Sequence, residues 1–398
     1  MQPINPWTRI FAPFAAGYFL SYLLRNANAV ISPELTHDLG LSAADLGLLT
    51  SAYLLTFGAF QLPLGILLDR YGPRRVESGL LLICAAGTAL FALGESMPQL
   101  TFGRALIGLG VSACLMASFK AFSLWFPIER QASLNAAIMA AGGLGAIAAS
   151  SPLGALLPIL GWRGIFVALA ALGLVAAALI FTTPEKAGGA PRESLRQQLA
   201  GLASIFGSRA FWRFAPQTTL IVGGFMALQG LWALPFMMTV NGLTRDAAAF
   251  HLLLMAGAQL CGFLAIAFFV TRLARAGLPP VRLLMFGLGF GMLATLGIVL
   301  DIGPSWLLWP SLGLVFSVGN LAYALLSAEF PVTLAGRVNT ALNLGAFVGA
   351  FAIQWLFGVA VDGLQVTGLT PDIAYRASLA GLLALQMAGW GWFIVGRR

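Results

Sequence analysis

The chain has 398 residues, of which 59% are hydrophobic and only 9% charged, against roughly 25% charged in soluble domains. That balance excludes an ordinary water-soluble enzyme or binding domain. The net charge of +8 would suit nucleic acid if the basic residues clustered among aromatics, but they fall between long apolar runs. Runs of about 18–25 residues are the length a helix needs to cross the hydrocarbon core, and the alternating pattern of a membrane barrel is absent. In chain order the spans are predicted at 10–32, 46–68, 77–94, 100–122, 134–158, 162–182, 212–238, 248–271, 282–302, 304–327, 338–360 and 374–396. The polar stretch between the sixth and seventh spans holds Pro184, Gly188, Gly189 and Pro191 and reads as a linker. The expected fold is therefore all-α, with twelve transmembrane helices in two pseudo-symmetric bundles. Residues 1–182 form the N-terminal bundle, 183–209 a cytoplasmic linker and 210–398 the C-terminal bundle.

Orientation follows from the basic residues in the short loops. One side carries Arg9, Arg70, Arg74, Arg75, Arg130, Lys186, Arg192, Arg196, Arg209, Arg213, Arg272, Arg275, Arg282, Arg337, Arg397 and Arg398. The other carries only Arg163, Arg245 and Arg376, so both termini are expected in the cytoplasm, with the chain in a bacterial inner membrane. A repeat supports two halves: Phe126-Pro127 precedes the fifth span and Phe330-Pro331 the eleventh, and at the same offset Asn135 meets Asn339 and Ala137 meets Ala341. Parallel repeats with a site near the midplane are a transporter architecture. Cys84, Cys114 and Cys261 sit in apolar runs without metal-ligand spacing and are expected to be packing residues.

The first span carries the polar stripe Tyr18, Tyr22, Arg25 and Ser32 at helical spacing, with Asn26 beside it. A fixed cation in an apolar helix must face the bundle interior or an aqueous cavity, and a planar guanidinium matches carboxylate or phosphate oxygens bidentately. Lys120, low in the fourth span, either adds a second charge or snorkels to the headgroups. In the second half, Gln229 and Trp232 lie three apart in the seventh span. Ser317, Asn320 and Ser327 share a face of the tenth with Tyr323 beside it, and Asn339, Asn343 and Gln354 share a face of the eleventh. Such groups either orient a ligand by hydrogen bonds or join helices. No carboxylate is expected deep in a span: Glu34, Asp38 and Asp45 fall on the outer side and Glu329 near the cytoplasmic end of the tenth. A coupling proton would then use one of these, His251 or the substrate itself. The chain lacks a phosphate-binding loop of the Walker type, which favours secondary transport. No carboxylate pair, activated nucleophile or metal cluster suggests an enzyme, and no cofactor is implied.

The loop Gly65-Ile-Leu-Leu-Asp69-Arg70-Tyr-Gly72-Pro-Arg74-Arg75 resembles the signature of the major facilitator superfamily at each fixed position. Gly65 is expected to allow close helix approach, Gly72 a tight turn, and Asp69 with Arg70 a cytoplasmic latch that breaks as the halves rock. Arg104-Ala-Leu-Ile-Gly108-Leu-Gly110 and Gly161-Trp162-Arg163 are also similar to the family, and Arg104 is expected to be a structural or gating charge. The segment around Tyr22, Arg25 and Asn26 resembles the first helix of the organophosphate/phosphate antiporters and, more loosely, the organic-anion symporters, in which an arginine binds the substrate anion. Those antiporters add a lysine where Gln61 stands here, and Gln61 is expected among the substrate contacts. The resemblance implies a secondary active transporter, a monomer among membrane lipid, that moves a small organic anion by alternating access with a proton or counter-anion. Two alternatives from the same superfamily are a copper importer using His251 and Met255, whose donors suit Cu(I), and a non-transporting sensor.

Overall fold

The structure is a computed structural model describing residues 5–127, 130–184, 186, 195–331 and 334–396. Among these residues every regular element is helical. Ten helices among the described residues are long and apolar enough to cross a membrane, and hydrogen-bonding each peptide group within its own segment is what hydrocarbon demands. Ile159, Phe268, Phe286 and Leu293 are 66–76% exposed, as side chains that contact acyl chains rather than water should be.

The membrane helices are α1 (Ala12–Leu39), α2 (Ala43–Gln61), α3 (Arg70–Leu93), α4 (Met97–Trp125), α5 (Gln131–Ala148) and α6 (Ser151–Phe181). An amphipathic linker helix, Leu195–Phe206, precedes α7 (Arg209–Val240), α8 (Arg245–Arg275), α9 (Pro280–Leu300), α10 (Ser305–Ser327), α11 (Ala335–Val366) and α12 (Pro371–Val395). Helix α1 is missing from the ten because Arg25, Asn26 and Asn28 lower its hydropathy. Helix α5 is missing because a turn at Ala149–Ser150 cuts the fifth apolar run. The predicted boundary between the fifth and sixth spans falls inside α6, where Gly161 leaves helical geometry at φ 63° and ψ 166°. Gly72 does the same near the start of α3, at φ 79° and ψ 161°, a backbone conformation that is open to glycine and strained for other residues.

The chain divides into two compact units, one of Met1–Gly40 with Ala52–Arg192, the other of Leu41–Ser51 with Glu193–Arg398. In the first, α1 packs along α5 and α6 and touches α4. In the second, α7 packs on α11 and α12, and α10 on α8 and α9, around a core that includes Phe214, Leu288, Leu342 and Phe393. Helices α4 and α10 are each interrupted midway, at Ser112–Ala113 and at Asn320. Phe126 and Phe330, the repeated residues, stand just past their ends.

Candidate functional site

In the first unit the polar stripe of α1 gathers around Arg25. Its guanidinium lies 4.5 Å from the Tyr22 ring centre and 5.2 Å from that of Phe57 on α2, distances at which a cation is held by aromatic faces. Tyr53, fully buried on α2, donates its hydroxyl to the Ser21 carbonyl at 3.3 Å and also engages Arg25. Over the Tyr53 ring stands Arg104 of α4, its guanidinium 5.0 Å from the ring centre. Arg104 is itself buried and donates to the Leu24 carbonyl at 3.0 Å. Tyr53 thus links the two cations, and Arg104 braces the peptide just before Arg25.

Close helix contact makes this possible. A Cβ at Gly108 would lie 2.1 Å from the Tyr53 carbonyl oxygen, and one at Gly110 2.4 Å from the Cys84 amide nitrogen. Thr56 adds a hydrogen bond across the same seam, donating to the Ala105 carbonyl at 2.7 Å. Tyr18, nearly buried, packs edge-on to Tyr22 at 5.1 Å and donates to the Met139 sulfur at 3.8 Å.

Other residues expected at the site are committed elsewhere. Asn26 donates back to the Tyr22 carbonyl of its own helix at 2.9 Å. Gln61 is buried and donates to the Ser112 carbonyl at 3.1 Å, satisfying the oxygen exposed where α4 is interrupted. Both amides spend their donors on the bundle. Lys120 is half-buried on α4.

The second unit holds its own polar set. Gln229 donates to Gln259 at 3.1 Å, and the Gln259 carbonyl accepts from Ser317 at 2.7 Å. Tyr323 donates to Asn343 at 3.2 Å and Ser327 to Asn339 at 2.7 Å. Asn320 donates to the Phe316 carbonyl of its own helix. Trp232 is fully buried, donates to the Gln354 carbonyl at 2.8 Å and stacks on Phe357 at 5.0 Å. It is therefore packed rather than offered to a ligand. The cause is a π-helical turn at Leu228–Trp232, whose extra residue rotates Trp232 off the face that ordinary helical spacing gives Gln229. The Nδ1–H of His251 donates to the Ala247 carbonyl at 2.8 Å and its Nε2 meets the Ser305 hydroxyl at 3.0 Å. With both nitrogens engaged and Met255 fully buried, this pair is not poised for a metal.

At the start of α3 Arg70 rests on the Tyr71 ring at 5.2 Å and Arg74 on Phe181 at 4.7 Å. Arg75 is exposed. The side chains of Asp69 and Arg196, and the residues Arg192, Arg397 and Arg398, lie outside what the structure describes. The close approach expected at Gly65 is not found: a Cβ there meets open space. Cys84 and Cys114 are buried as expected, whereas Cys261 is exposed. The expectation that no carboxylate lies deep in a span fails at Glu77, which is fully buried in α3. The predicted third span begins at that residue, for which no role is expected from the sequence.

An all-helical membrane bundle with arginine, amide and phenol groups held in its interior is the make-up of a solute carrier. The chain belongs to the Major Facilitator Superfamily, whose family model matches residues 14–353. It is thus a transporter and an integral membrane protein rather than an enzyme. A probable L-galactonate transporter of Escherichia coli is 22% identical over 386 residues, 92% of this chain and 85% of that protein. The 4-hydroxybenzoate transporter PcaK of Pseudomonas aeruginosa is 33% identical over 213 residues, 51% of this chain and 47% of that protein. A solved D-xylose-proton symporter superposes with a TM-score of 0.79 at 17% identity, covering 98% of this chain and 97% of that one, a likeness of fold.

Proposed function

We propose that this chain is a secondary transporter of a small organic anion, a monocarboxylate, working by alternating access. Arg25 is its anion anchor. The observation that carries the reading is the guanidinium of Arg25, placed within an apolar helix on the rings of Tyr22 and Phe57. Aromatic faces attract the cation without neutralising it, and a planar guanidinium matches the two oxygens of a carboxylate. A single well-placed arginine suits one carboxylate better than a doubly charged phosphate ester. Relatives named for L-galactonate and 4-hydroxybenzoate are in keeping with an organic acid. In this reading residues 1–182 and 210–398 are the two bundles that move, 183–209 is the cytoplasmic linker, and both termini face the cytoplasm of a bacterial cell. Asp69 and Arg70 act as the latch. Tyr22 and Tyr18 line the anchor, Tyr323, Asn343 and Gln229 supply polar contacts, and Lys120 adds cationic charge.

Thermal shift of the detergent-purified protein tests the anchor, because a ligand that binds only the folded state raises the melting temperature with occupancy. L-galactonate and 4-hydroxybenzoate should stabilise the wild type and leave Arg25→Ala unmoved. Truncating one partner of a buried charged pair typically costs about 2–5 kcal/mol, a loss of roughly 30-fold or more in affinity. Stabilisation of Arg25→Ala equal to that of the wild type would overturn the assignment.

A further inference from the structure

Glu77 plays no part in the anion site, yet its surroundings are unusual for a carboxyl group. It is 0% exposed, and neither oxygen has a partner at full hydrogen-bond geometry among the described residues. From α4 the Cys114 thiol, a weak donor, is the polar group that meets it. From α1 comes Gly17, so near that a Cβ there would lie 2.6 Å from Glu77 Oε1, and 3.3 Å from the Ile180 methyl of α6. The titratable groups next to Cys114 are Cys84 and Tyr18. On α3 itself, Arg74 directs its guanidinium onto Phe181 and Arg75 is exposed. Among the described residues, then, no cation faces Glu77. A carboxylate buried without a donor or a counter-charge is far less favourable than the neutral acid. The walls of α1, α4 and α6 accommodate a protonated Glu77. A narrow cleft with room for about one water, lined in part by Phe14, Pro73, Arg74, Ala121 and Lys186, ends about one helical turn along the chain from Gly17 and Glu77.

We propose that Glu77 is the proton carrier of this transporter, taking a proton onto its carboxylate from water and keeping it while packed between Gly17 and Cys114. The O–H bond formed at uptake breaks again when that packing opens, returning the proton to water. This rests on the anion-transport reading and names its coupling ion. One proton moving with one monocarboxylate is electroneutral, so a pH difference of one unit sustains about a tenfold anion gradient.

Infrared difference spectra of the purified full-length protein across pH test the protonation without any substrate. A carbonyl band of a protonated carboxylic acid is expected at neutral pH, lost in Glu77→Gln and shifted in Cys114→Ala and Gly17→Ala. Should Glu77→Gln fail to fold, the shifts in the other two variants still assign the band. Absence of the band in the wild type, or a band unaltered by every variant, overturns the proposal. Coupling is read in proteoliposomes with L-galactonate and 4-hydroxybenzoate as probes. Glu77→Gln should lose the roughly tenfold accumulation driven by one pH unit while retaining counterflow exchange. Wild-type accumulation in Glu77→Gln also overturns the proposal. If neither probe exchanges in the wild type, the anion reading fails and coupling fails with it, while the infrared band still decides whether Glu77 holds a proton.

Discussion

Gly108→Ala places a methyl group 2.1 Å from the Tyr53 carbonyl oxygen and 2.7 Å from Thr56 Oγ1. Ordinary non-bonded contact needs about 3.5 Å, so α4 and α2 must separate by roughly 1 Å where Tyr53 stands between Arg104 and Arg25. Overpacking of this kind costs about 1–3 kcal/mol, and more when backbone rather than a pliable side chain is struck. The gain from replacing glycine by alanine in a helix, about 1 kcal/mol, offsets part of it. The net loss is about 1–2 kcal/mol, and at about 2–4 °C per kcal/mol for a domain of this size the melting temperature should fall by roughly 2–8 °C. Gly65→Ala is the control. Its Cβ meets nothing within 4 Å, so the melting temperature should hold or rise slightly. Both are measured by thermal unfolding of the purified protein in one detergent. Equal melting temperatures for the two variants would refute the argument that the α2–α4 seam is closed by backbone contact. Transport separates them further: slower turnover in Gly65→Ala, with stability intact, would mean that helix contact at Gly65 forms in the other half of the cycle.

Tyr53→Phe keeps the ring under Arg104 but removes the hydroxyl shared by Ser21 and Arg25; anion affinity measured by calorimetry should fall about 10-fold, since a hydrogen bond to a charged group is worth about 1.5 kcal/mol or more, and the melting temperature should fall by roughly 3–6 °C. Asp69→Asn should slow exchange in proteoliposomes while leaving equilibrium anion binding unchanged; parallel losses in both would remove Asp69 from the latch. Trp162→Phe deletes the indole N–H that donates to Asp38 at 2.9 Å; that bond, with His37 beside it, holds the Asp38 carboxyl below the usual carboxylate range. A lowered folded-state pKa contributes stability above the unfolded value and loses it as pH falls through the folded one, so the melting-temperature gap between wild type and variant should narrow below about pH 4.

The apolar runs made nearly every span legible, because hydrocarbon imposes a length and a composition that no other environment does. Boundaries were harder where glycine, not polarity, ends a helix, as at Gly161. Arg25 and Arg104 were visible because a charge in an apolar run has few places to go. Tyr53 was not, since a tyrosine in a membrane helix gives no local sign of the two arginines that approach it from α1 and α4. Gln61 is expected at the ligand from the antiporter lysine position and Asn26 and Trp232 from their helix faces, but the bonds of Gln61 and Trp232 depend on breaks the spacing cannot show. The Ser112 turn occupies Gln61, and the π turn of α7 turns Trp232 into the core. Glu77 was hidden by its place beside an arginine-rich loop, where a boundary charge is the ordinary reading.

A guanidinium that already rests on Tyr22 and Phe57 has little rotamer freedom left to lose when an anion arrives. Much of the ordering that normally accompanies capture of a small ion has been done by the folded protein. Few further contacts are then needed for useful binding, and few contacts discriminate poorly between neighbours in a chemical series. A carrier built on this anchor should accept a family of short acids that differ in their tails. Its selectivity would lie in the shape of the surrounding wall rather than in the charge that holds the carboxylate.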